Sequence, residues 1–80
     1  MTQKHILSPL PGTFYRRASP DAPVYKSEGD WIAKGDVIGL IEVMKSFHEV
    51  RADKSGTIVK FLTDTEDPVM AGQPLLEIRD

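Results

Sequence analysis

The sequence predicts an all-β domain, a small antiparallel sandwich or barrel, and three observations support this class. No segment shows sustained apolar spacing at i, i+3, i+4 and i+7, so we expect essentially no helix. Short runs of strand-forming residues recur, and turn residues such as Pro11-Gly12 and Ala71-Gly72-Gln73 bound them. With 80 residues and no cysteine, the chain needs a compact regular scaffold, and we expect one domain over residues 1–80.

Composition excludes several classes of function. The net charge is −2 with both signs interspersed, so no basic block indicates a nucleic-acid partner. The longest apolar runs are about four residues, too short for a membrane span or a signal peptide. We therefore expect a cytoplasmic protein with no membrane partner, and the lack of cysteine excludes a thiol catalyst and a disulfide framework.

The strand-forming runs predict six strands in chain order. They are His5–Leu7, Thr13–Arg16, Val37–Val43, Ser46–Ala52, Gly56–Leu62 and Leu75–Arg79.

The chain also resembles itself. Residues 30–41 align with residues 67–78 at an offset of 37, and residues 6–14 align with residues 50–58 at an offset of 44. Two such repeats indicate a quasi-twofold sandwich whose halves join at the bend between Val43 and Ser46. The offsets differ by seven because the first half carries about seven extra residues between Phe14 and Asp30, in the segment 17–24. That segment is either an ordinary surface loop or a projecting lobe that contacts whatever the domain carries.

The bend itself is unusual. The stretch IEVMKSFHEV, residues 41–50, predicts two strands that meet at Met44-Lys45, yet it contains none of the residues that favour two-residue hairpin turns. Met44 would be an exposed apolar side chain with Phe47 nearby, a composition that suits recognition by another protein. In this register Glu42 faces Phe47 and Glu49 faces Leu40, and we interpret both carboxylates as solvated.

No catalytic arrangement is evident. His5 and His48 do not have the spacing of a metal pair, and the sequence contains no phosphate-binding loop or nucleophile elbow. Trp31 is expected to pack in the core or a turn. A domain of this size also leaves little room for a substrate cleft of a few hundred cubic ångströms.

Residues 42–46, Glu-Val-Met-Lys-Ser, resemble the Glu-Ala-Met-Lys-Met signature of biotinyl domains, in which the lysine carries biotin through an amide bond. Lipoyl domains share the fold but usually have Asp before the lysine and Ala or Ser after it. Met44 therefore favours biotin, whereas Ser46 is shared with some lipoyl sequences. Residues 8–16 and 52–58 resemble the biotin carboxyl carrier subunit of acetyl-CoA carboxylase, and the resemblance covers residues 6–79.

The resemblance to the biotinyl/lipoyl attachment family implies a fold and a site. The fold is a flattened β-barrel sandwich (a barrel-sandwich hybrid) of two four-stranded antiparallel sheets, with the termini at the end opposite the biotinyl hairpin 41–50. Lys45 is the implied attachment residue for biotin, flanked by Met44 and Ser46. Residues 17–25 match the protruding thumb of that carrier, which packs against the biotin rings. The implied thumb contacts are Ser19, Pro20, Asp21 and Ala22.

The function implied by the resemblance is that of a non-catalytic carrier. A biotin-protein ligase would attach biotin to Lys45, and the domain would carry carboxybiotin between a biotin carboxylase and a carboxyltransferase. The expected setting is acetyl-CoA carboxylase in fatty acid biosynthesis, and hence lipid metabolism, or a related acyl-CoA carboxylase. The alternatives are a lipoyl carrier domain and an unmodified barrel-sandwich interaction module.

Some features depart from the family pattern. Val43 replaces the usual Ala, and Ser46 replaces the usual Met or Leu, at positions that the ligase reads. The N-terminal region and the Ala/Pro linker of the acetyl-CoA carboxylase carrier have no counterpart in these 80 residues. A stand-alone relative serving another carboxylase is therefore a further expectation.

Overall fold

The computed structural model describes residues 3–79 of the chain, and this part is built from strands and turns. Within these residues, no helix is long and apolar enough to cross a membrane. The eight strands are β1 (Gln3–Leu7), β2 (Gly12–Tyr15), β3 (Trp31–Ile32), β4 (Val37–Val43), β5 (Ser46–Arg51), β6 (Gly56–Phe61), β7 (Asp67–Val69) and β8 (Pro74–Arg79).

The strands form two four-stranded antiparallel sheets. The first sheet has the order β1-β8-β6-β3 and the second has the order β5-β4-β2-β7. Both sheets contribute to one apolar core, so they pack face to face as a sandwich. The flattened sandwich of two four-stranded sheets is therefore confirmed.

The internal repeat is visible in the sheets themselves. When the two sequence offsets are applied to the first sheet, β1 corresponds to β5, β8 to β4, β6 to β2 and β3 to β7. The resulting order, β5-β4-β2-β7, is the strand order of the second sheet. The same turn also recurs in both halves: the Gly35 N–H donates to the Ala52 carbonyl at 2.8 Å, and the Gly72 N–H donates to the Ser8 carbonyl at 2.7 Å. Both glycines have positive φ, 97° and 84°, a conformation that favours glycine. The predicted quasi-twofold relation is confirmed at the level of hydrogen bonds.

The core consists of the inward-facing residues of both sheets. Phe14 of β2 and Ile58 of β6 are equivalent in the repeat, and both are buried. Each such side chain contributes roughly 1.5–3 kcal/mol by leaving water. The cluster comprises Ile6, Phe14, Ile32, Ile38, Ile41, Val50, Ala52, Ile58, Val69, Leu75, Leu76 and Ile78.

All six predicted strands are present, and their ends lie within two residues of the prediction. The short strands β3 and β7, with two and three residues, are additional. The expectation that Trp31 packs in the core or a turn is wrong, because 60% of its surface is exposed. Neighbouring residues of a strand point to opposite faces, and Ile32 takes the inward position.

Two loops lie at the same end of the sandwich as the β4–β5 bend. Gly12 pairs with Val69, and a Cβ atom placed on Gly12 would come within 3.1 Å of Val43 Cγ2. The loop 8–11 and the turn 70–73 therefore flank the bend. Gln3 and Arg79, near the two ends of the chain, pair at the other end of the β1–β8 ladder. This position opposite the hairpin is the one that the family resemblance implied.

Gly39 in the middle of β4 gives a test of this packing. A Cβ atom at this position would lie 2.6 Å from Phe14 Cε1 and 2.7 Å from the Tyr15 carbonyl oxygen, so Gly39→Ala must displace backbone. We expect a loss of about 1–3 kcal/mol of unfolding free energy, measured by urea denaturation. The exposed strand substitution Lys60→Ala is the control and should change stability by less than about 0.5 kcal/mol. A Gly39→Ala protein as stable as the parent would contradict the described contact between β2 and β4.

Candidate functional site

The hairpin tip is formed by a turn with left-handed backbone at both central residues. In the β4–β5 ladder, Val43 lies opposite Ser46 next to the bend, and Leu40 lies opposite Glu49 three residues away. This is the predicted register. Met44 and Lys45 form the two-residue loop, with φ of 50° and 68°. Positive φ at both positions is the pattern of a type I′ turn, whose twist matches that of the flanking strands. Each non-glycine residue in this region costs about 1–2 kcal/mol, so the ladder on either side maintains the turn.

The Lys45 side chain extends from this tip into solvent. Met44 beside it is 92% exposed, and Lys45 and Ser46 are also exposed. Within residues 3–79, no carboxylate forms an ion pair with Lys45. The Lys45 side chain is thus open to solvent and to a partner protein.

An aromatic and carboxylate cluster secures the hairpin to the neighbouring strand. The Tyr15 hydroxyl of β2 donates to Glu42 Oε1 of β4 at 3.0 Å, and the Tyr15 ring lies 5.9 Å from the Phe47 ring of β5. One side chain therefore contacts both strands of the hairpin on the outer face of the sheet. The prediction that both carboxylates are solvated is wrong for Glu42, which is half-buried and accepts a hydrogen bond from Tyr15. Glu49 is exposed and pairs with Arg51 at 2.6 Å.

The thumb is a small closed loop that projects from the end of β2. Arg17 and Val24 form an isolated antiparallel bridge, and the Arg17 guanidinium donates to the Ala22 carbonyl at 3.3 Å. At its base, the Arg16 guanidinium lies 3.9 Å above the centre of the Phe61 ring. The thumb contributes no residue to the apolar core, so its ordering depends on these polar and cation–π contacts.

A cleft of about 350 Å³ separates the thumb from the hairpin. Ser19 and Pro20 line its thumb side, whereas Tyr15, Phe47 and Glu66 line the sheet side. This finding corrects the expectation that the domain leaves little room for such a cleft. The space lies between a projecting loop and the outer face of the sheet, so it removes nothing from the small core.

The predicted site residues are thus partly brought together. Met44, Lys45 and Ser46 are contiguous at the tip, and Ser19 and Pro20 line the cleft, while Asp21 and Ala22 are not part of its lining. Sequence reasoning missed the contribution of Tyr15, Thr65 and Glu66. The outer position of Tyr15 could have been predicted from β2, because successive side chains of a strand point to opposite faces and Phe14 points inward. The pairing of β2 with β4 then places Tyr15 beside the hairpin.

The structure thus presents an exposed lysine on the left-handed hairpin tip of a small two-sheet β domain, a position where a covalent group can be attached. Comparison with known proteins identifies the family. Residues 4–78 match the biotin/lipoyl family, whose model is described as biotin-requiring enzyme, and the chain belongs to that family. The resemblance seen in the sequence is thereby confirmed.

Named relatives agree with this assignment. The chain is 42% identical over 73 residues to the biotin carboxyl carrier protein of acetyl-CoA carboxylase 2, chloroplastic, of Arabidopsis thaliana, covering 91% of this chain and 29% of that protein. It is 39% identical over 74 residues to the biotin carboxyl carrier protein of acetyl-CoA carboxylase of Nostoc sp., covering 92% of this chain and 41% of that protein. This chain therefore spans less than half the length of these curated relatives.

A solved structure shows the same fold. The crystal structure of Kluyveromyces lactis urea carboxylase superposes with a TM-score of 0.76 at 29% identity, covering 99% of this chain and 6% of that chain. Family and relatives together imply a covalently attached biotin as the cofactor.

The Tyr15–Glu42 hydrogen bond makes a prediction about pH. This bond, followed by burial and by the negative charges of Glu42 and Glu66, raises the pKa of the Tyr15 phenol above its ordinary value of 10.0. The contribution of the bond is therefore complete below about pH 10 and is lost as pH rises through the folded-state pKa. In Glu42→Gln protein, the Tyr15 pKa should fall towards 10.0, because the acceptor is no longer charged.

The measurement is an NMR titration of the two tyrosine side chains, with Tyr25 as the internal reference. An unchanged Tyr15 titration in the Glu42→Gln protein would show that the hydroxyl does not bond to the Glu42 carboxylate in solution.

Proposed function

We propose that this chain is a biotin carboxyl carrier domain, with biotin on Lys45 carried between a biotin carboxylase and a carboxyltransferase. The proposed setting is acetyl-CoA carboxylase of fatty acid biosynthesis, because the curated relatives are named as its carriers. The observation that carries the proposal is the position of Lys45, an exposed lysine in a left-handed turn that the rest of the domain holds in place.

The residues present fit a covalently attached biotin. The Lys45 amine has no carboxylate partner among the described residues, and nothing in the turn covers it. The thumb cleft lies on the Phe47 side of the same hairpin and is large enough for a small bicyclic ring. When bound, biotin supplies a ureido nitrogen that takes up and releases a carboxyl group.

Attachment requires only one nucleophile from this chain. The neutral Lys45 Nζ attacks the acyl carbon of a biotinyl-adenylate held by a biotin-protein ligase. The C–N bond of the amide forms, the bond from the acyl carbon to the phosphate oxygen breaks, and AMP leaves while the amine loses one proton. Exposure at the tip allows the ligase to surround the amine, which a buried position would prevent.

The rest of the domain serves as a rigid handle. Tethering gives the attached group an effective concentration in the millimolar range at each partner's active site, provided that geometry allows both to be reached. Because the tip is part of a continuous ladder, motion is confined to the Lys45 arm. In this proposal the thumb is the resting place of the ring, with Ser19 and Pro20 facing it across the cleft from Phe47.

The first test of this function concerns the attachment site. We expect a bacterial biotin-protein ligase with biotin and ATP to label wild-type protein once, at Lys45, as measured by intact mass and peptide mapping. Lys45→Arg protein should remain unlabelled, because arginine cannot form that amide. Lys34→Arg is the matched control, since Lys34 is an exposed turn lysine at the other end, and it should be labelled normally. Label on Lys45→Arg protein would refute the site, and a lipoyl mass on wild-type protein would replace biotin by lipoate.

The second test concerns the thumb. Deleting residues 18–24 should leave a folded domain that the ligase still labels, because none of these residues lies in the core and the Arg16–Phe61 contact remains. Shortening the loop should even help slightly, since closure entropy falls by about 0.6 kcal/mol per halving of length. The biotin ring protons should then approach the mobility of free biotin in NMR relaxation.

Two results would count against this role. An unfolded deletion protein would make the thumb a structural strap. Unchanged biotin mobility in a folded deletion protein would make it an inert surface loop.

A further inference from the structure

Glu66 has a backbone conformation that favours glycine. It lies in the turn between β6 and β7, with φ of 71°, and its N–H donates to the Phe14 carbonyl at 2.6 Å. A residue with a Cβ atom is strained in this left-handed region. Backbone outliers of this kind persist where the surrounding structure maintains them, and they concentrate at functional sites. The φ of Glu66 therefore points to a role for its side chain.

The internal repeat shows that the turn itself does not need glutamate. Gly29 is the equivalent of Glu66 at the offset of 37, and its φ of 92° lies in the same region. The Gly29 N–H donates to the Ile58 carbonyl at 2.8 Å, and Ile58 is the equivalent of Phe14. The chain thus forms the same turn and the same hydrogen bond with glycine. A carboxylate at position 66 is an addition that the scaffold does not require.

Glu66 places its carboxylate at the thumb cleft. It lines this cleft together with Tyr15, Phe47 and Arg17. The pKa of the Tyr15 phenol is raised first by its hydrogen bond to Glu42, then by burial and by the charges of Glu42 and Glu66, so the Glu66 carboxylate acts on the cleft side. Within residues 3–79, Glu66 forms no ion pair and its carboxylate accepts no hydrogen bond. The cleft wall thus carries a strong acceptor without a protein donor.

The ureido group of biotin offers the donor that this wall lacks. It has two N–H groups and one carbonyl, and a hydrogen bond from an N–H to a carboxylate is of the strong, charge-assisted kind. The Arg17 guanidinium on the thumb side can donate to the ureido carbonyl, and the Phe47 ring provides an apolar surface for the bicycle. The dithiolane ring of lipoate has no N–H group and would leave the Glu66 carboxylate unpaired.

Carboxylation changes this match. In the proposed function, biotin carboxylase joins the carbon of bicarbonate to one ureido nitrogen: the N–H bond breaks, an N–C bond forms, the proton is released, and ATP becomes ADP and phosphate. The ring thereby loses one donor and gains one negative charge. The cleft lining contains one cation, Arg17, and one anion, Glu66, so their charges balance only while the ring is neutral. A second anion beside Glu66 is disfavoured, because like charges in a partly desolvated site repel.

We propose that Glu66 accepts a hydrogen bond from a ureido N–H of the biotin on Lys45, so that the thumb cleft holds the neutral ring and releases the carboxylated ring; this inference rests on the proposed function. Glu66 takes no part in the chemistry and distinguishes the two states of the ring. By linkage, a site that binds the neutral ring more tightly than the carboxylated ring favours donation of the carboxyl group to the acceptor.

Three variants separate the carboxylate from its charge. Glu66→Gly restores the residue that the other half of the repeat has in this turn. Glu66→Gln keeps an oxygen that accepts a hydrogen bond and removes the negative charge. Glu49→Gln is the matched control: Glu49 is exposed on the same face of β5 as Phe47, and it is not part of the cleft lining. It makes the same change of charge on the same surface.

The strain at position 66 is tested on protein without biotin. Glu66→Gly should raise the melting temperature by a few degrees, because glycine relieves the left-handed conformation. The reciprocal variant Gly29→Glu should lower it by a similar amount, since the space beside Gly29 is open and only backbone strain is added. A Glu66→Gly protein that melts no higher than wild type would contradict the strain at this turn.

The role of the carboxylate is tested on protein labelled at Lys45 with ¹⁵N-biotin by a biotin-protein ligase. Relaxation of the ureido ¹⁵N–H groups gives the ratio of bound to mobile ring, before and after carboxylation by biotin carboxylase with ATP and bicarbonate at pH 8. We expect the wild-type ring to be bound when neutral and as mobile as free biotin when carboxylated, with one N–H left to observe.

The variants should differ in a defined way. Glu66→Gly should lower the bound-to-mobile ratio of the neutral ring about tenfold or more, the usual effect of removing a hydrogen bond to a charged group. Glu66→Gln should hold both forms of the ring to a similar extent, because the amide oxygen still accepts and the repulsion is gone. Glu49→Gln should behave as wild type in both states.

The outcomes separate this inference from the function on which it rests. Wild-type protein that the ligase leaves unlabelled at Lys45 would overturn the proposed function and the role of Glu66 with it. A labelled wild-type ring that is equally bound, or equally mobile, in both states would overturn the role of Glu66 and leave the function standing. So would a Glu66→Gly protein that holds the neutral ring as wild type does, or a Glu66→Gln protein that still releases the carboxylated ring.

Discussion

The left-handed backbone at Met44 and Lys45 is the constraint on which the site depends. Two non-glycine residues with φ of 50° and 68° cost about 1–2 kcal/mol each, and the turn sequence does nothing to lower that cost. The paired β4–β5 ladder and the Tyr15 side chain, which reaches Glu42 and Phe47, offset it. A less constrained bend would allow the Lys45 side chain to fold back on the sheet. The left-handed turn keeps this side chain exposed at the tip.

The quasi-twofold repeat explains how so small a chain supplies that support. Each half provides four strands and the same glycine turn. The two sheets therefore have equivalent strands in the same order. The halves differ in the thumb, which only the first half carries, and the bend that joins the halves carries Lys45. The cleft beside the thumb is lined by residues from both halves. Because the thumb lies outside the core, its contacts can change without altering the scaffold.

Much of this arrangement could be predicted from the sequence, and the limits have physical causes. The β4–β5 register followed from placing the bend at Met44-Lys45, because a two-residue loop fixes the pairing. The short strands β3 and β7 could not be recognised, since two or three residues carry no periodicity; their position depends on tertiary pairing. The exposure of Trp31 and the contact between Tyr15 and Phe47 depend on strand order, which no single segment specifies.

The central claim is that the sheet, rather than the local sequence, imposes the conformation that presents Lys45. NMR scalar couplings and backbone relaxation of the intact domain, compared with a peptide of residues 39–51, test it most directly. We expect positive φ at Met44 and Lys45 in the domain, with order parameters near 0.85 as in the strands, and loss of both in the peptide. Order parameters below about 0.6 at the tip of the intact domain, or negative φ at either residue, would contradict the account.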